Sequence, residues 1–100
     1  MNFECHVTIK TDDLHKELLQ AIIESVGGWS FSSIAGDPLL GKDTFCYATA
    51  HFDDPMEALV QTTAVSEALA KASVWFHVIR RKIELVISDE RCTNGMWHKI

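Results

Sequence analysis

The spacing of apolar residues passes from a period of two to a period of about 3.6 and back again twice along this chain, and few packings accept that order. The opening segment, FECHVTIK (3–10), alternates Phe3, Cys5, Val7 and Ile9 with Glu4, His6, Thr8 and Lys10, which predicts a half-buried strand. DDLHKELLQAIIESVGG (12–28) then repeats Leu14, Leu18, Ile22 and Val26 at helical spacing, widened by Leu19 and Ile23. Asp12 and Asp13 are placed to cap its start, and Gly27-Gly28 to stop it. WSFSSI (29–34) and TFCYATAHF (44–52) predict two further strands around a turn-forming stretch. In DDPMEALVQTTAVSEALAKA (53–72), Asp54, Pro55 and Glu57 mark a helix start, and Ala58, Thr62, Val65, Leu69 and Ala72 form a stripe of mainly small residues. The last strand lies within HVIRRKIELVIS (77–88), with Ile83, Leu85 and Ile87 alternating against Lys82, Glu84 and Val86. Arg80-Arg81 breaks that rhythm and predicts a bulge or bend. The tail, 89–100, has no assigned element; Trp97 and Ile100 are the residues there that could cover apolar surface.

The order β-α-β-β-α-β predicts an α+β domain, most simply one four-stranded antiparallel sheet with both helices on one face. That order resembles the ferredoxin-like sandwich, in which the first and third strands form the central pair. The resemblance implies a single domain over 1–100, with its core at about 3–88, and implies no function, since the superfold hosts many. More specific families of this shape fit less well. Acylphosphatases carry a Gly-rich loop with a phosphate-binding Arg before the first helix, and amino-acid-sensing modules carry a Gly-containing turn after the first strand. Here the junction is IKTDDLHK (9–16), acidic and without Gly or Arg.

Composition narrows the partners. The chain is 47% apolar and 23% charged, which suits a packed domain rather than a disordered one. A net charge of -5, with the acidic residues dispersed, argues against a nucleic-acid partner. The one basic cluster, Arg80-Arg81-Lys82, reads as a solvated strand end. Cys5, Cys46 and Cys92 cannot all pair within the chain and show no C-x-x-C spacing, so a reducing, cytoplasmic setting is expected. The first ten residues lack the apolar centre of a signal peptide, and no run approaches the length of a membrane span.

The stretch GDPLLGKDT (36–44) nearly spells a phosphate-binding loop, with Gly36, Gly41 and Lys42 in place but Asp43 where a hydroxyl belongs. A phosphate loop leads into a helix N-terminus, whose dipole and amides meet the phosphates. The residues after Lys42 instead alternate as a strand, so the stretch reads as a hairpin connection and not a nucleotide site. Leu39 and Leu40 would sit at its tip.

If both helices cover one face, the opposite face holds the chemistry. Strand parity turns His6 and Thr8, then Tyr47, Thr49 and His51, then Lys82 and Glu84, to that open face, with Glu4, Lys10 and Phe45 beside them. These hydroxyls, imidazoles and charges are suited to a small polar or anionic ligand, with His6, Thr8 and Lys82 as donors and His51 as a proton carrier. No catalytic constellation, cofactor or metal site is assigned. His6 and His51, with His77 or Glu84, are the nearest approach to a metal-ligand set, and no H-x-H or H-x-x-x-H spacing supports it. HVTI (6–9) resembles one copy of the H-x-T-hydrophobic motif of two-histidine phosphoesterases, which implies His and Thr contacting a phosphate. A second copy is missing, since HVIR (77–80) lacks the Thr. The expectation is a non-enzymatic binding or interaction module, a homodimer through the open face or a sheet edge. The alternative is a small phosphoesterase-like hydrolase centred on His6, Thr8 and His51.

Overall fold

The computed structural model describes residues 2–34 and 43–99, with the backbone alone described at Asp43. Its elements are β1 (Asn2–Asp12), α1 (Lys16–Ser25), β2 (Ser30–Ile34), β3 (Asp43–Phe52), α2 (Pro55–Ala72), β4 (His77–Val86), β5 (Glu90–Thr93) and β6 (Met96–Lys99). The first four strands form one antiparallel sheet in the order β2-β3-β1-β4, and β5 and β6 form a separate pair. No helix among the described residues is long and apolar enough to cross a membrane. The near-phosphate-loop stretch, with Leu39 and Leu40, falls almost wholly outside the described residues.

The alternation in β1 sets the layers. Cys5, Val7 and Ile9 are fully buried, as are Cys46 and Ala48 of β3, with Ala50 nearly so. They join Leu19 and Ile23 of α1 and Ala58, Val65 and Leu69 of α2 in one core. Each fully buried Ile or Leu contributes about 1.5–3 kcal/mol to holding the helices on the sheet. The small side chains of β3 and α2 let backbones approach: Cys5 Sγ lies 4.0 Å from the carbonyl oxygen of Ala58.

Several local expectations need correction. β1 runs on to Asp12, so α1 begins at Lys16 rather than near Asp12. Asp12 still serves the helix start, accepting from the His15 backbone N–H at 2.9 Å and from His15 Nδ1 at 2.6 Å. Asp13, between β1 and α1, instead accepts from the Thr44 hydroxyl of β3. Leu14, lying before the helix, is 90% exposed, and Leu18 is half exposed; the helix buries the Leu19–Ile23 row. Asp54 caps α2 as expected, accepting from the Met56 backbone N–H at 3.2 Å, but Ala72 at the far end is exposed. β4 stops at Val86, and Ile87 is 91% exposed, outside the alternation that the sequence predicts for it. The bulge falls one residue before Arg80: Thr8 faces Arg80 while Ile9 faces Val78, leaving Ile79 unmatched.

The tail is a hairpin that the sequence reading left without an element. Asn94 (φ 52°) and Gly95 (φ 77°) both take left-handed backbone, the turn that joins tightly twisted antiparallel strands. Trp97 is 69% exposed, so it does not cover the core, and Ile100 lies outside the described residues.

Candidate functional site

The face of the sheet opposite the helices is ordered by register into cross-strand rows. His6 of β1 faces Thr49 of β3 and Lys82 of β4, and Thr49 faces Ser30 of β2. Two residues along, Thr8 faces Tyr47 and Arg80, and Tyr47 faces Ser32. Two residues the other way, Glu4 faces His51 and Glu84. Directly opposed residues in antiparallel strands project to the same side, so each row gathers its side chains above the sheet.

Two of these rows enclose a pocket of about 270 Å³, lined by His6, Thr8, Ser32, Tyr47, Thr49, Arg80 and Lys82. None of its lining residues is acidic. Of the residues singled out in the sequence, His6, Thr8, Tyr47, Thr49 and Lys82 meet here. His51 and Glu84 do not; they lie in the Glu4 row beside the pocket. Arg80 and Ser32 are the lining residues that sequence reasoning missed. Arg80 carried a usable signal, since it stands two residues before Lys82 and so shares its face; reading Arg80-Arg81-Lys82 as one solvated block hid this. Arg81 turns the other way, toward α2, with Nη1 3.4 Å from the Ser66 hydroxyl.

The electrostatics divide along the strands. At the pocket end Arg80 has no ion-pair partner among the described residues. At the other end Glu4 and Glu84 face each other. A hydrogen bond from Lys82 holds the Glu84 carboxyl below its ordinary value; slight desolvation opposes this, and the charges of Lys82, His6 and Arg80 add to it. His6 bridges the two ends. Its Nε2 contacts Glu4 Oε1, and its Nδ1 lies 3.1 Å from the Thr49 hydroxyl. A carboxylate only accepts, so Nε2 carries the proton toward Glu4. His51 Nε2 lies 3.8 Å from the other oxygen of Glu4. Ligand-type atoms of Glu4, His6 and Glu84 all fall within 4.8 Å of one another. The histidine-centred metal set weighed from the sequence is therefore redrawn: Glu4 joins it, while His77 stands opposite Lys10, at the far end of β1 from Glu4.

A second groove, of about 230 Å³, runs between the helices and is lined by Ile22, Ile23, Val26, Gln61, Ala64, Val65, Ala68 and Leu69. It offers almost no polar group to orient a ligand. The open-face pocket, with a guanidinium, an ammonium, an imidazole and four hydroxyls, is the candidate site. Comparison with protein-family models, with curated proteins and with solved structures finds no match, so the chemistry of these two rows carries the functional reading.

Proposed function

We propose that the chain is a ferredoxin-like binding module whose open sheet face holds a small oxyanion-bearing metabolite, a carboxylate or a phosphate monoester. One observation carries this reading: a pocket built by all four strands of the sheet is lined by Arg80, Lys82 and hydroxyls, with no acid among its lining residues. Arg80 supplies a planar pair of N–H donors suited to a carboxylate or phosphate edge. Thr8, Thr49, Ser32 and Tyr47 supply neutral donors, and the Tyr47 ring gives a flat apolar wall. The pocket's size, below the roughly 300–1,000 Å³ of drug-sized sites, suits a compact ligand.

The test is an NMR titration of the labelled chain with sulfate, inorganic phosphate and small dicarboxylates at low ionic strength. Saturable shifts confined to the amides of Thr8, Tyr47, Thr49, Arg80 and Lys82 are expected. Shifts scattered over the surface, or none, would reject the pocket.

A hydrolytic reading keeps one observation in its favour. Glu4, His6 and Thr49 stand in the order carboxylate, imidazole, hydroxyl, the arrangement that activates an alcohol nucleophile. An acyl or phosphonyl reagent that labels Thr49 in the parent chain and spares the His6→Ala variant would establish it; no labelling leaves the binding module alone. The homodimer expected from the sequence is assigned here to the β4 edge, where Ile83 and Leu85 are 37% and 47% exposed beside unpaired strand backbone. Sedimentation of the parent chain and of a Leu85→Lys variant tests that assignment.

A further inference from the structure

We propose that Glu4, His6 and Glu84, completed by His51, form a binding site for one transition-metal dication of zinc type, next to the anion pocket and sharing only His6 with it. Glu4 faces Glu84 on one side and His51 on the other, so three neighbouring strands project a carboxylate, a carboxylate and an imidazole to the same side. His6, two residues along β1, turns its Nε2 back onto Glu4. Candidate atoms of Glu4, His6 and Glu84 already lie within 4.8 Å of one another, and His51 Nε2 lies 3.8 Å from Glu4 Oε2. A tetrahedral ion with bonds of about 2.0–2.2 Å holds its ligand atoms about 3.4 Å apart, so the atoms of Glu4, His6 and Glu84 need draw together by no more than about 1.4 Å.

Further features favour a metal. Like-charged carboxylates placed directly opposite each other on a sheet destabilise it unless something neutralises them. Lys82 does this for Glu84, and the ion pairs of Glu4 among the described residues are with the imidazoles of His6 and His51; a dication answers both carboxylates at once. The His6 ring is also arranged as a metal ligand usually is, with one nitrogen toward the site and the other on an outer partner, the Thr49 hydroxyl at 3.1 Å. On metal binding the ring proton moves from Nε2 to Nδ1, where it donates to Thr49, and Nε2 gives its lone pair to the ion. The nitrogen and carboxylate donor set selects zinc, cobalt or nickel over magnesium and calcium, which take oxygen cages. The Lys82 ammonium engages Glu84 through Oε1, which leaves Oε2 for the ion.

The tag-free chain, freed of metal by chelation, is titrated with zinc by calorimetry, and with cobalt while its visible absorption is followed. One equivalent of zinc is expected, with cobalt bands of four- or five-coordinate nitrogen and oxygen ligation. Glu4→Gln should weaken zinc binding by about 100-fold or more, because losing even an outer-shell partner costs about 10–100-fold. The Glu4 side chain is part exposed on the sheet surface, so this near-isosteric change leaves the core intact, as circular dichroism would confirm. Cys92→Ser, which alters the one exposed thiol, should leave zinc affinity unchanged. Equal zinc affinity in the parent and Glu4→Gln chains, loss with Cys92→Ser, or equally tight calcium binding would each overturn the site. The outcome is separable from the anion reading, since Glu4 and Glu84 do not line that pocket and Arg80 does: Arg80→Ala should weaken sulfate binding about tenfold and spare zinc.

Discussion

Arg80 and Arg81 are neighbours of one chemical type, and the fold sends them to opposite sides of the sheet. Arg80 lines the anion pocket, whereas Arg81 reaches the Ser66 hydroxyl of α2 at 3.4 Å. Replacing each by Ala therefore tests the register of β4 and the site together. A hydrogen bond with a charged partner is worth about 1.5–3 kcal/mol. The pocket is open to water, which favours the lower end, and about 1.4 kcal/mol is a factor of ten. Arg80→Ala should thus raise the sulfate dissociation constant about tenfold. Arg81→Ala removes an exposed side chain with one long hydrogen bond, so stability should move by about 0.5 kcal/mol or less. Its effect on sulfate should be limited to the loss of one distant charge, and it should vanish in moderate salt, where charges beyond about 10 Å are screened. Both constants are read from the same NMR titrations, at low salt and at about 0.1 M. Equal weakening by the two changes at the higher salt would refute the reasoning, because it would mean either a one-residue slip in β4 or a merely diffuse attraction.

The remaining expectations concern packing and titration. Ile9→Ala, at a fully buried position, should cost about 2–5 kcal/mol in chemical denaturation, whereas Ile87→Ala, 91% exposed, should cost almost nothing; comparable losses would place Ile87 in the core after all. The His15 side chain, by hydrogen bonding, holds the Asp12 carboxyl below its ordinary value of 3.8. A carboxyl lowered on folding stabilises above its ordinary value and loses that contribution as pH falls through the folded value. Acid unfolding of Asp12→Asn should therefore depend less steeply on pH below about 4 than that of the parent, and parallel curves would contradict the pair. Burial pushes the Cys46 thiol up, and Cys5 is fully buried, while Cys92 is exposed. One thiol should react with a disulfide reagent at once and two only on unfolding, and prompt reaction of all three would contradict the layering.

Parity was legible wherever a strand alternated cleanly. The period of two in β1 places Cys5, Val7 and Ile9 under the helices and His6 and Thr8 on the other side, and β3 follows the same rule. What parity cannot give is pairing. Glu4 was assigned to the open face, but nothing local states that it stands opposite Glu84 and His51, because that depends on the β1–β4 and β1–β3 registers. The α1 stripe failed for a different reason. Leu14-Leu18-Ile22-Val26 and Leu19-Ile23 are adjacent rows of one wide apolar surface, and the run-on of β1 to Asp12 decides between them by leaving Leu14 outside the helix. Ile87 alternates perfectly in sequence and is lost because β4 ends at Val86, where its partner strand has reached Asn2. The β5–β6 hairpin was missed although Asn94-Gly95 is among the strongest short hairpin signals; the short charged strands around it hid the alternation.

The two proposed sites share His6, and that sharing has a consequence measurable without knowing the natural ligand. A dication held by Glu4 and Glu84 cancels the negative charge beside the pocket, and it weakens the hold of Glu84 on Lys82, whose ammonium can then turn to the pocket it already lines. Both effects favour a bound anion. Coupling between neighbouring sites is typically about 1–3 kcal/mol, a factor of about 5–150, and it is reciprocal. Sulfate, which neither precipitates nor strongly chelates zinc, is the suitable probe. Zinc at saturation should lower the sulfate dissociation constant at least about fivefold, and saturating sulfate should lower that of zinc by the same factor. In Glu4→Gln the factor should fall to one, while sulfate binding in the absence of zinc should strengthen slightly, because a nearby negative charge is gone. If zinc and sulfate bind independently in the parent chain, Lys82 and the acidic row do not communicate, and the picture of one polarised face fails even if each site survives by itself.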